Sequence, residues 1–423
     1  MQRTGRRSDR ADRRIVAALA ATTTAGYGVL FYSYGVLLVP MERDLGWSRS
    51  VLTGAFSGAL LVSALMTVPV GRWLDRHPPR ALMTVGGVVA TVLVVCWGLA
   101  PNPLVFYLVW TGLGACMAVL FYEPAFTLLT KRFRGAERHR AVTTVTLLAG
   151  LASTIFGPLT AVLERALGWR GAVFALSALL GAVSVPLFAV ALAPQRGPAP
   201  ASQEQAQAET HNDAVPREAM ASRRFWCLTG AYLLSAVTTF AVAVHLVPYL
   251  RSRGWGSGAA ATALGAVGLV QVAGRSTFAR LTLRLPPARL GTWVLLAKAV
   301  GIALLLVVPS VAGVVGLVVV YGAANGLATL TRATVVADLY GAQHYGAIPA
   351  VVGAVSAVGG ALAPFAFAAA VEVVHGTVPV LWGLVAVSVV ASAAHEVAIA
   401  GRPGRARESG VDVDLVAPLE VEG

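Results

Sequence analysis

The chain has 423 residues, of which 57% are hydrophobic and only 13% charged, and its formal net charge is +13. This small number of charged side chains cannot solvate a water-soluble globule of this size. A lipid bilayer is therefore the expected solvent for most of the chain. The basic residues lie in short links between apolar segments, which excludes the basic soluble face of a nucleic-acid-binding protein and predicts no nucleic-acid partner.

The chain begins with a basic segment, residues 1–14, that contains six arginines. An apolar stretch follows from Ile15 to Pro40 and is longer than the hydrophobic region of a signal peptide, which has about 7–15 residues. The sequence therefore predicts an uncleaved spanning helix at this position.

Spanning helices require about 20 predominantly apolar residues, and twelve segments of the sequence satisfy this requirement. The predicted spans are 15–39, 49–70, 81–100, 104–130, 141–163, 171–193, 225–250, 258–279, 291–309, 312–337, 347–371 and 378–398. Links as short as Pro101-Asn102-Pro103 make neighbouring helices antiparallel. The predicted fold class is therefore an all-α integral membrane protein of twelve transmembrane helices.

The composition changes after the sixth span to a polar stretch rich in Pro, Gln, Glu, Ala and Ser, as in a solvated linker. The predicted units are the N-terminus (1–14), a six-helix bundle (15–193), the linker (194–224), a second six-helix bundle (225–400) and a C-terminal tail (401–423).

The two bundles share a pattern of punctuating residues. Val39-Pro40 and Gly46-Trp47 recur 208 residues later as Val247-Pro248 and Gly254-Trp255. Parallel repeats of six helices can rock about a central site and so expose it alternately to the two sides of a membrane.

The distribution of basic residues predicts the orientation. Of the 33 Lys and Arg, 25 fall at the termini and in the even-numbered links, whereas six fall in the odd-numbered links. The positive-inside rule then places both termini in the cytoplasm, with the protein in the cell (inner) membrane.

The link after the second span reads Gly71-Arg72-Trp73-Leu74-Asp75-Arg76-His77-Pro78-Pro79-Arg80, in which a glycine is followed by an aspartate and basic residues. This pattern resembles the signature of the major facilitator superfamily, with Pro78 in place of the usual second glycine. The copy after the eighth span keeps Gly274-Arg275 but has Phe278 where the aspartate would stand. The resemblance implies two pseudo-symmetric bundles and a conformational gating motif formed by Gly71, Arg72, Asp75, Arg76, Arg80, Gly274 and Arg275.

Ionisable residues inside spans are costly and therefore indicate function. Glu123 in the fourth span and Arg332 in the tenth lie at similar depth in equivalent helices, and in the resembled family these helices line the central cavity. We expect a Glu123–Arg332 pair that helps to close the cytoplasmic side, with Glu123 as proton acceptor once the pair separates. The alternative is a permanent structural pair.

Further cavity candidates lie at helical spacing, where residues four and seven positions apart share a face. They are Tyr27, Phe31, Tyr34, Cys116, Tyr122, Thr127, His245, Asn325 and Thr329. Ordinary bundle packing is the alternative for the aromatic residues. Lys298 is expected to extend its side chain to the cytoplasmic interface.

These features predict a secondary active transporter that works by alternating access, coupled to protons, and exports a metabolite or drug-like compound. A second hypothesis is proton symport of a small organic anion such as a monocarboxylate, for which Arg332 would be the counter-ion. The link from Pro40 to Ser50 resembles that of bacterial relatives of monocarboxylate carriers, but the first span lacks the lysine and the eighth span lacks the Asp and Arg that those carriers use, so their substrate does not carry over. A receptor, channel or membrane enzyme is disfavoured, since the seven histidines are scattered. We expect no cofactor and no metal, and a monomer whose partners are the solute, protons and the bilayer.

Overall fold

The computed structural model describes residues 2–133, 135–192, 222–340 and 347–400, and within these ranges the regular structure is helical throughout. The predicted tail at 401–423 lies outside the described residues, and so does the predicted linker except for residues 222–224.

Eleven helices of the described chain are long and apolar enough to cross a membrane. One of them, Arg140–Ala191, has 52 residues, far more than the roughly 20 that one crossing needs. Gly168 interrupts it with φ 71° and ψ 172°, so this helix makes two crossings and the predicted total of twelve is reached.

In chain order the helices are α1 (Gln2–Tyr27, Gly28–Tyr32 and Ser33–Leu45), α2 (Arg49–Arg76), α3 (Pro79–Leu99), α4 (Pro103–Leu120 and Tyr122–Arg132), α5 (Gly135–Gly150, continuing to 167), α6 (169–191), α7 (Arg223–Ser252), α8 (Ser257–Thr282), α9 (Pro287–Val307), α10 (Val311–Gly316, Leu317–Tyr321 and Gly322–Tyr340), α11 (Ala347–Val374) and α12 (Thr377–Ala400).

The repeated glycines have a backbone function. Gly46 ends α1 with φ 67° and Gly254 follows α7 with φ 87°, a left-handed conformation that glycine adopts without steric cost. Ser48 then caps α2, since its Oγ accepts a hydrogen bond from the Val51 amide at 3.3 Å. The repeat seen in the sequence is therefore a repeated helix-ending turn.

The two bundles meet mainly through α2 with α11 and α5 with α8. Ser57 Oγ accepts a hydrogen bond from the Phe365 amide at 3.2 Å, and Thr154 Oγ1 donates to the Gly265 carbonyl at 2.7 Å. A Cβ atom on Gly35 in α1 would lie only 3.0 Å from the Val244 carbonyl oxygen in α7.

We call the side on which α1 and α7 begin the terminal side, and the opposite one the far side. Gly35 and Val244 lie in the far halves of their helices, so the bundles close on that side. Near the terminal side, Glu123 of α4 and Thr329 and Arg332 of α10 are exposed. The molecule is therefore open between α4 and α10 on the terminal side.

Candidate functional site

A cavity of about 360 Å³ lies between the two bundles. Helices of both halves contribute to it, and its wall is mostly aromatic and aliphatic. Its polar and aromatic lining residues are Tyr27, Phe31, Tyr32, Ser63, Thr67, Phe121, Tyr122, Glu123, Ser153, Thr239, Phe240, Gln271, Tyr321 and Asn325.

Aromatic rings form the wall contributed by α1 and α4. Tyr27 stacks on Phe121 with ring centroids 3.9 Å apart and an interplanar angle of 12°, and the Tyr122 ring lies 4.8 Å away. Phe31 packs edge-on against Phe240 of α7 at 5.4 Å, so the wall continues into the second bundle. The candidates Tyr27, Phe31 and Tyr122 thus line the cavity.

Tyr34 does not lie in the cavity, and this prediction is wrong. It is fully buried inside the first bundle, where its hydroxyl donates to the Leu52 carbonyl at 2.6 Å and its ring stacks on Phe56. The cause is the π-helical turn Gly28–Tyr32, which inserts one residue relative to an α-helix and rotates everything after it. Tyr32 lines the cavity instead.

Glu123 lines the cavity beside a break in α4. The backbone of Phe121 is extended, with φ −85° and ψ −164°, and a new helix segment begins at Tyr122. The break lies next to Pro124, which cannot donate a backbone hydrogen bond to Leu120. Glu123 therefore occupies the first turn of a helix, where the helix dipole stabilises a carboxylate.

Arg332, the predicted partner of Glu123, lies on α10. The ion pairs among the described residues are Arg49–Glu42, Arg132–Asp12 and Arg170–Asp44, so Glu123 and Arg332 make no direct ion pair in this open conformation. Thr329 and Arg332 do not line the cavity; both lie exposed on α10, nearer the terminal side than Asn325.

The direction of the Lys298 side chain differs most from the expectation based on the sequence. Its side chain does not reach the membrane interface but is 1% exposed. Its ammonium group donates to the Ser235 carbonyl at 3.1 Å, to Ser235 Oγ at 2.9 Å and to Thr239 Oγ1 at 2.7 Å. Helix α9 packs between α10 and α12, and this packing directs the side chain inward to α7.

A chain of hydrogen bonds continues from this lysine to the cavity. Thr239 Oγ1 donates to Asn325 Oδ1 at 2.9 Å, and Asn325 Nδ2 donates to Gln271 Oε1 at 3.2 Å. Thr239, Asn325 and Gln271 all line the cavity. Asn325 is among the candidates named from the sequence, whereas Thr239 and Gln271 are not; the only signal for them is a polar residue isolated in an apolar span.

Three other candidates lie outside the cavity wall. Cys116 is buried in the core of the first bundle, because Met117 and Ala118 occupy the face of α4 that lines the cavity. Thr127 bonds back to the Glu123 carbonyl at 2.9 Å. His245 is 2% exposed, donates from Nε2 to the Pro364 carbonyl at 2.9 Å and stacks on Phe367, so it belongs to the packing of α7 against α11.

The predicted gating motif lies at the terminal side. Arg72, Arg76 and Arg80 are exposed, and the side chain of Asp75 lies outside the described side chains. A Cβ atom on Gly71 would meet nothing within 4 Å, so Gly71 makes no close helix contact in this conformation.

Gly274 and Arg275, in the second copy of the motif, make close contacts. A Cβ atom on Gly274 would lie 2.7 Å from the Ala323 carbonyl oxygen of α10. Arg275 donates to the Thr146 carbonyl of α5 at 3.4 Å, across the two bundles. The described part of the chain contains no group of three His, Cys, Asp or Glu side chains that could hold a metal ion.

The sequence matches the Major Facilitator Superfamily over residues 6–364. It is 28% identical to an uncharacterized 38 kDa protein in the 23S RNA operon of Thermoproteus tenax. The 215 aligned residues cover 51% of this chain and 52% of that protein. It is also 29% identical to a chloramphenicol efflux pump of Mycobacterium tuberculosis. Here the 150 aligned residues cover 35% of this chain and 36% of that protein. The chain therefore spans about half, or about a third, of the length of these curated relatives.

The fold is similar to solved structures of a bacterial homologue of the human lysosomal transporter Spinster. The inward-facing, unoccupied form aligns with a TM-score of 0.74 and 17% identity, over 92% of this chain and 97% of that chain. The inward-facing, occupied form aligns with a TM-score of 0.73 and 18% identity, over 91% and 96%. The family match over most of the sequence and the twelve-helix, two-bundle fold identify the chain as a membrane transporter of the Major Facilitator Superfamily.

Proposed function

We propose that the chain is a proton-coupled exporter of uncharged or amphipathic, drug-like compounds. The supporting observation is the composition of the cavity wall, which combines aromatic and aliphatic side chains with a few hydroxyl and amide groups. Such a wall suits a small, largely apolar solute that a few polar groups orient. The similarity to a chloramphenicol efflux pump supports the same substrate class.

Symport of an organic anion receives less support from the cavity. An anion taken out of water needs a cationic partner, because an unpaired buried charge is very costly. Among the described residues that line the cavity, Glu123 is the one with a charged side chain, and it is an acid. Arg332, the expected counter-ion of an anion, lies beyond the lining residues.

The same carboxylate offers a mechanism for coupling. When α4 and α10 approach each other, Arg332 would pair with Glu123 and stabilise closure on the terminal side. A proton on Glu123 removes that attraction and favours the open conformation, and binding of solute beside the carboxylate favours loss of the proton. Each cycle then exchanges solute for a proton. With the termini in the cytoplasm, the open cavity loads solute from inside the cell.

The test uses the full-length protein in proteoliposomes, with radiolabelled chloramphenicol as the first probe and labelled lactate as the anionic probe. We expect an imposed pH gradient to drive chloramphenicol accumulation and to leave lactate unmoved. Glu123→Gln should lose the gradient-driven part while keeping exchange of chloramphenicol at equal pH, since the solute still binds.

Glu137→Gln is the matched control, because it neutralises an exposed carboxylate outside the cavity wall. It should behave as the wild type does. If Glu123→Gln keeps full proton-driven flux, coupling through Glu123 is wrong. If lactate moves and chloramphenicol does not, and Arg332→Ala abolishes that flux, the anion symporter is the correct function.

A further inference from the structure

We propose that Lys298 is a second proton-binding site of the transporter, connected to the cavity through the hydroxyl of Thr239. This inference rests on the proposed proton-coupled transport. It starts from the position of the side chain: Lys298 is 1% exposed and lies in the second bundle, away from Glu123 and behind the cavity wall.

No described acidic group compensates the charge of this lysine. Its three hydrogen-bond partners are a backbone carbonyl and two hydroxyls, all of them neutral. The Tyr321 ring lies 5.8 Å from Nζ and adds only the weak attraction of a cation for an aromatic face.

The surrounding helices carry other ionisable groups, and these have different partners. His395 of α12 contacts Thr292 Oγ1 at 3.0 Å and Tyr232 of α7 at 3.3 Å, and Glu396 accepts from Thr292 at 2.8 Å. Arg275 of α8 binds Thr146. The other ionisable groups with described side chains on these helices are Arg280 of α8, Arg289 of α9, Tyr321 and Arg332 of α10 and, on α7, Arg223, Arg224, Cys227, His245, Tyr249 and Arg251.

The site accommodates both protonation states of the amine. A charged ammonium donates three hydrogens, and three oxygen atoms accept them here. A neutral amine has two hydrogens and one lone pair, and the rotatable hydroxyl of Ser235 or Thr239 can turn to donate to that lone pair. An unpaired ammonium in a bilayer is costly, whereas a purely structural lysine would be expected to have a carboxylate partner.

Through Thr239, the protonation state of Lys298 affects the hydrogen bonds of the cavity wall. While Lys298 is charged, the Thr239 hydroxyl accepts from Nζ, and its hydrogen can be donated to Asn325 Oδ1 or to the Ser235 carbonyl, each 2.9 Å away. If the amine is neutral and its lone pair accepts a hydrogen bond from the Thr239 hydroxyl, Asn325 loses its hydrogen bond from Thr239. The Asn325 amide can then reorient beside Gln271. Thr239 also lines the cavity, so a proton needs to pass only one hydroxyl to reach Nζ.

The first experiment measures the proton directly and does not depend on transport. Lysine is present at two positions, Lys131 and Lys298, so protein labelled with ¹³C-lysine should give two side-chain NMR signals, assigned with Lys131→Arg. We expect the Lys298 Cε signal to move from its charged to its neutral position between about pH 5 and pH 9, a range in which an ordinary lysine stays charged. A Lys298 signal that stays at the charged position throughout would overturn the proposal.

The second experiment measures coupling in proteoliposomes with chloramphenicol. Lys298→Met and Lys298→Arg should each lose pH-gradient-driven accumulation while exchange at equal pH continues, because methionine has no amine and arginine keeps the charge but cannot release a proton. Thr239→Val should also lose gradient-driven accumulation, because it removes the hydroxyl between Lys298 and the cavity. Thr239→Ser should retain coupling. Arg284→Met, which removes an exposed positive charge from the α8–α9 link, should match the wild type.

The outcomes separate the two proposals. Full coupling in Lys298→Arg together with loss of coupling in Glu123→Gln would contradict the role of Lys298 and leave the proposed function intact. Absence of any chloramphenicol flux in the wild type would contradict the proposed function, and the NMR titration would still decide whether Lys298 binds and releases a proton.

Discussion

Individual aromatic residues divide into those that face the solute and those that hold the bundle together. Tyr27 and Phe121 present stacked rings to the cavity. Tyr34 is equally aromatic, yet its ring is enclosed by Phe56 and Trp110 inside the first bundle. Aromatic pairs of either kind stabilise by about 0.5–1.5 kcal/mol beyond area burial, so ring contacts alone do not separate binding from packing.

The two neighbouring tyrosines of α1 allow this division to be tested. Tyr34→Phe should lower the free energy of unfolding by about 0.5–1.5 kcal/mol, because it removes one buried hydrogen bond, and should leave chloramphenicol exchange unchanged. Tyr32→Phe should change the concentration dependence of exchange with little effect on thermal stability, since its side chain lines the cavity. Thermal unfolding in detergent and exchange in vesicles measure the two effects. The reverse pattern would contradict the assigned rotation of α1.

The sequence indicates some of the residues that line the cavity and not others. Glu123 and Asn325 could be found because a charged or amide side chain in an apolar span needs a reason. Lys298 was detectable by the same rule, but its direction was not, since a long side chain seven or so residues from a helix end can reach the interface or the interior. The neighbours that turned it inward, Ser235 and Thr239, belong to another helix.

Irregular turns in the helices decide which faces line the cavity. A π-helical turn interrupts α1 at Gly28–Tyr32 and α10 at Leu317–Tyr321, and α4 breaks at Phe121. These three helices contribute Tyr32, Tyr321 and Glu123 to the wall. Each interruption therefore lies at or next to a residue of the candidate site, where π-turns are often found.

We expect the close contact between α1 and α7 to hold the far side shut. Gly35→Val should separate these helices, because even a Cβ atom there would lie 3.0 Å from the Val244 carbonyl oxygen. If the bundles rock as rigid units, opening the far side closes the terminal side. A reporter cysteine at Thr67, in a background without the native cysteines, should then react more slowly with maleimide in detergent.

Gly230→Val in α7 is the control for that experiment, since a Cβ atom there would meet nothing within 4 Å. Its effect on the reporter should be small. An unchanged reaction rate in folded Gly35→Val would show that this contact does not hold the conformation.

For the whole molecule, the two bundles have similar helix-ending turns and separate cores, and they contact through the pairs α2 with α11 and α5 with α8. The equivalence of α2 to α8 and of α5 to α11 makes these two interfaces pseudo-symmetric. Relative rotation of the bundles can therefore open one side while closing the other, as transport by alternating access requires.

The predicted orientation of the molecule rests on the distribution of its basic residues and can be measured in cells. We expect His77→Cys, in the link between α2 and α3, to be protected from a membrane-impermeant maleimide in intact cells and labelled after lysis. Ser310→Cys, in the link between α9 and α10, should be labelled in intact cells. Both residues are exposed, so access to the reagent depends on the membrane side. The opposite labelling would reverse the assigned orientation.

The sequence by itself determined the spans, the repeated turns and the two halves, because hydropathy, helix capping and glycine at positive φ are local properties of the chain. The tertiary structure alone decided which side chains share the cavity. Helix rotation depends on irregular turns such as Gly28–Tyr32 and on packing against other helices, so residues at helical spacing in the sequence, Tyr27 and Tyr34 among them, face different surroundings in the fold.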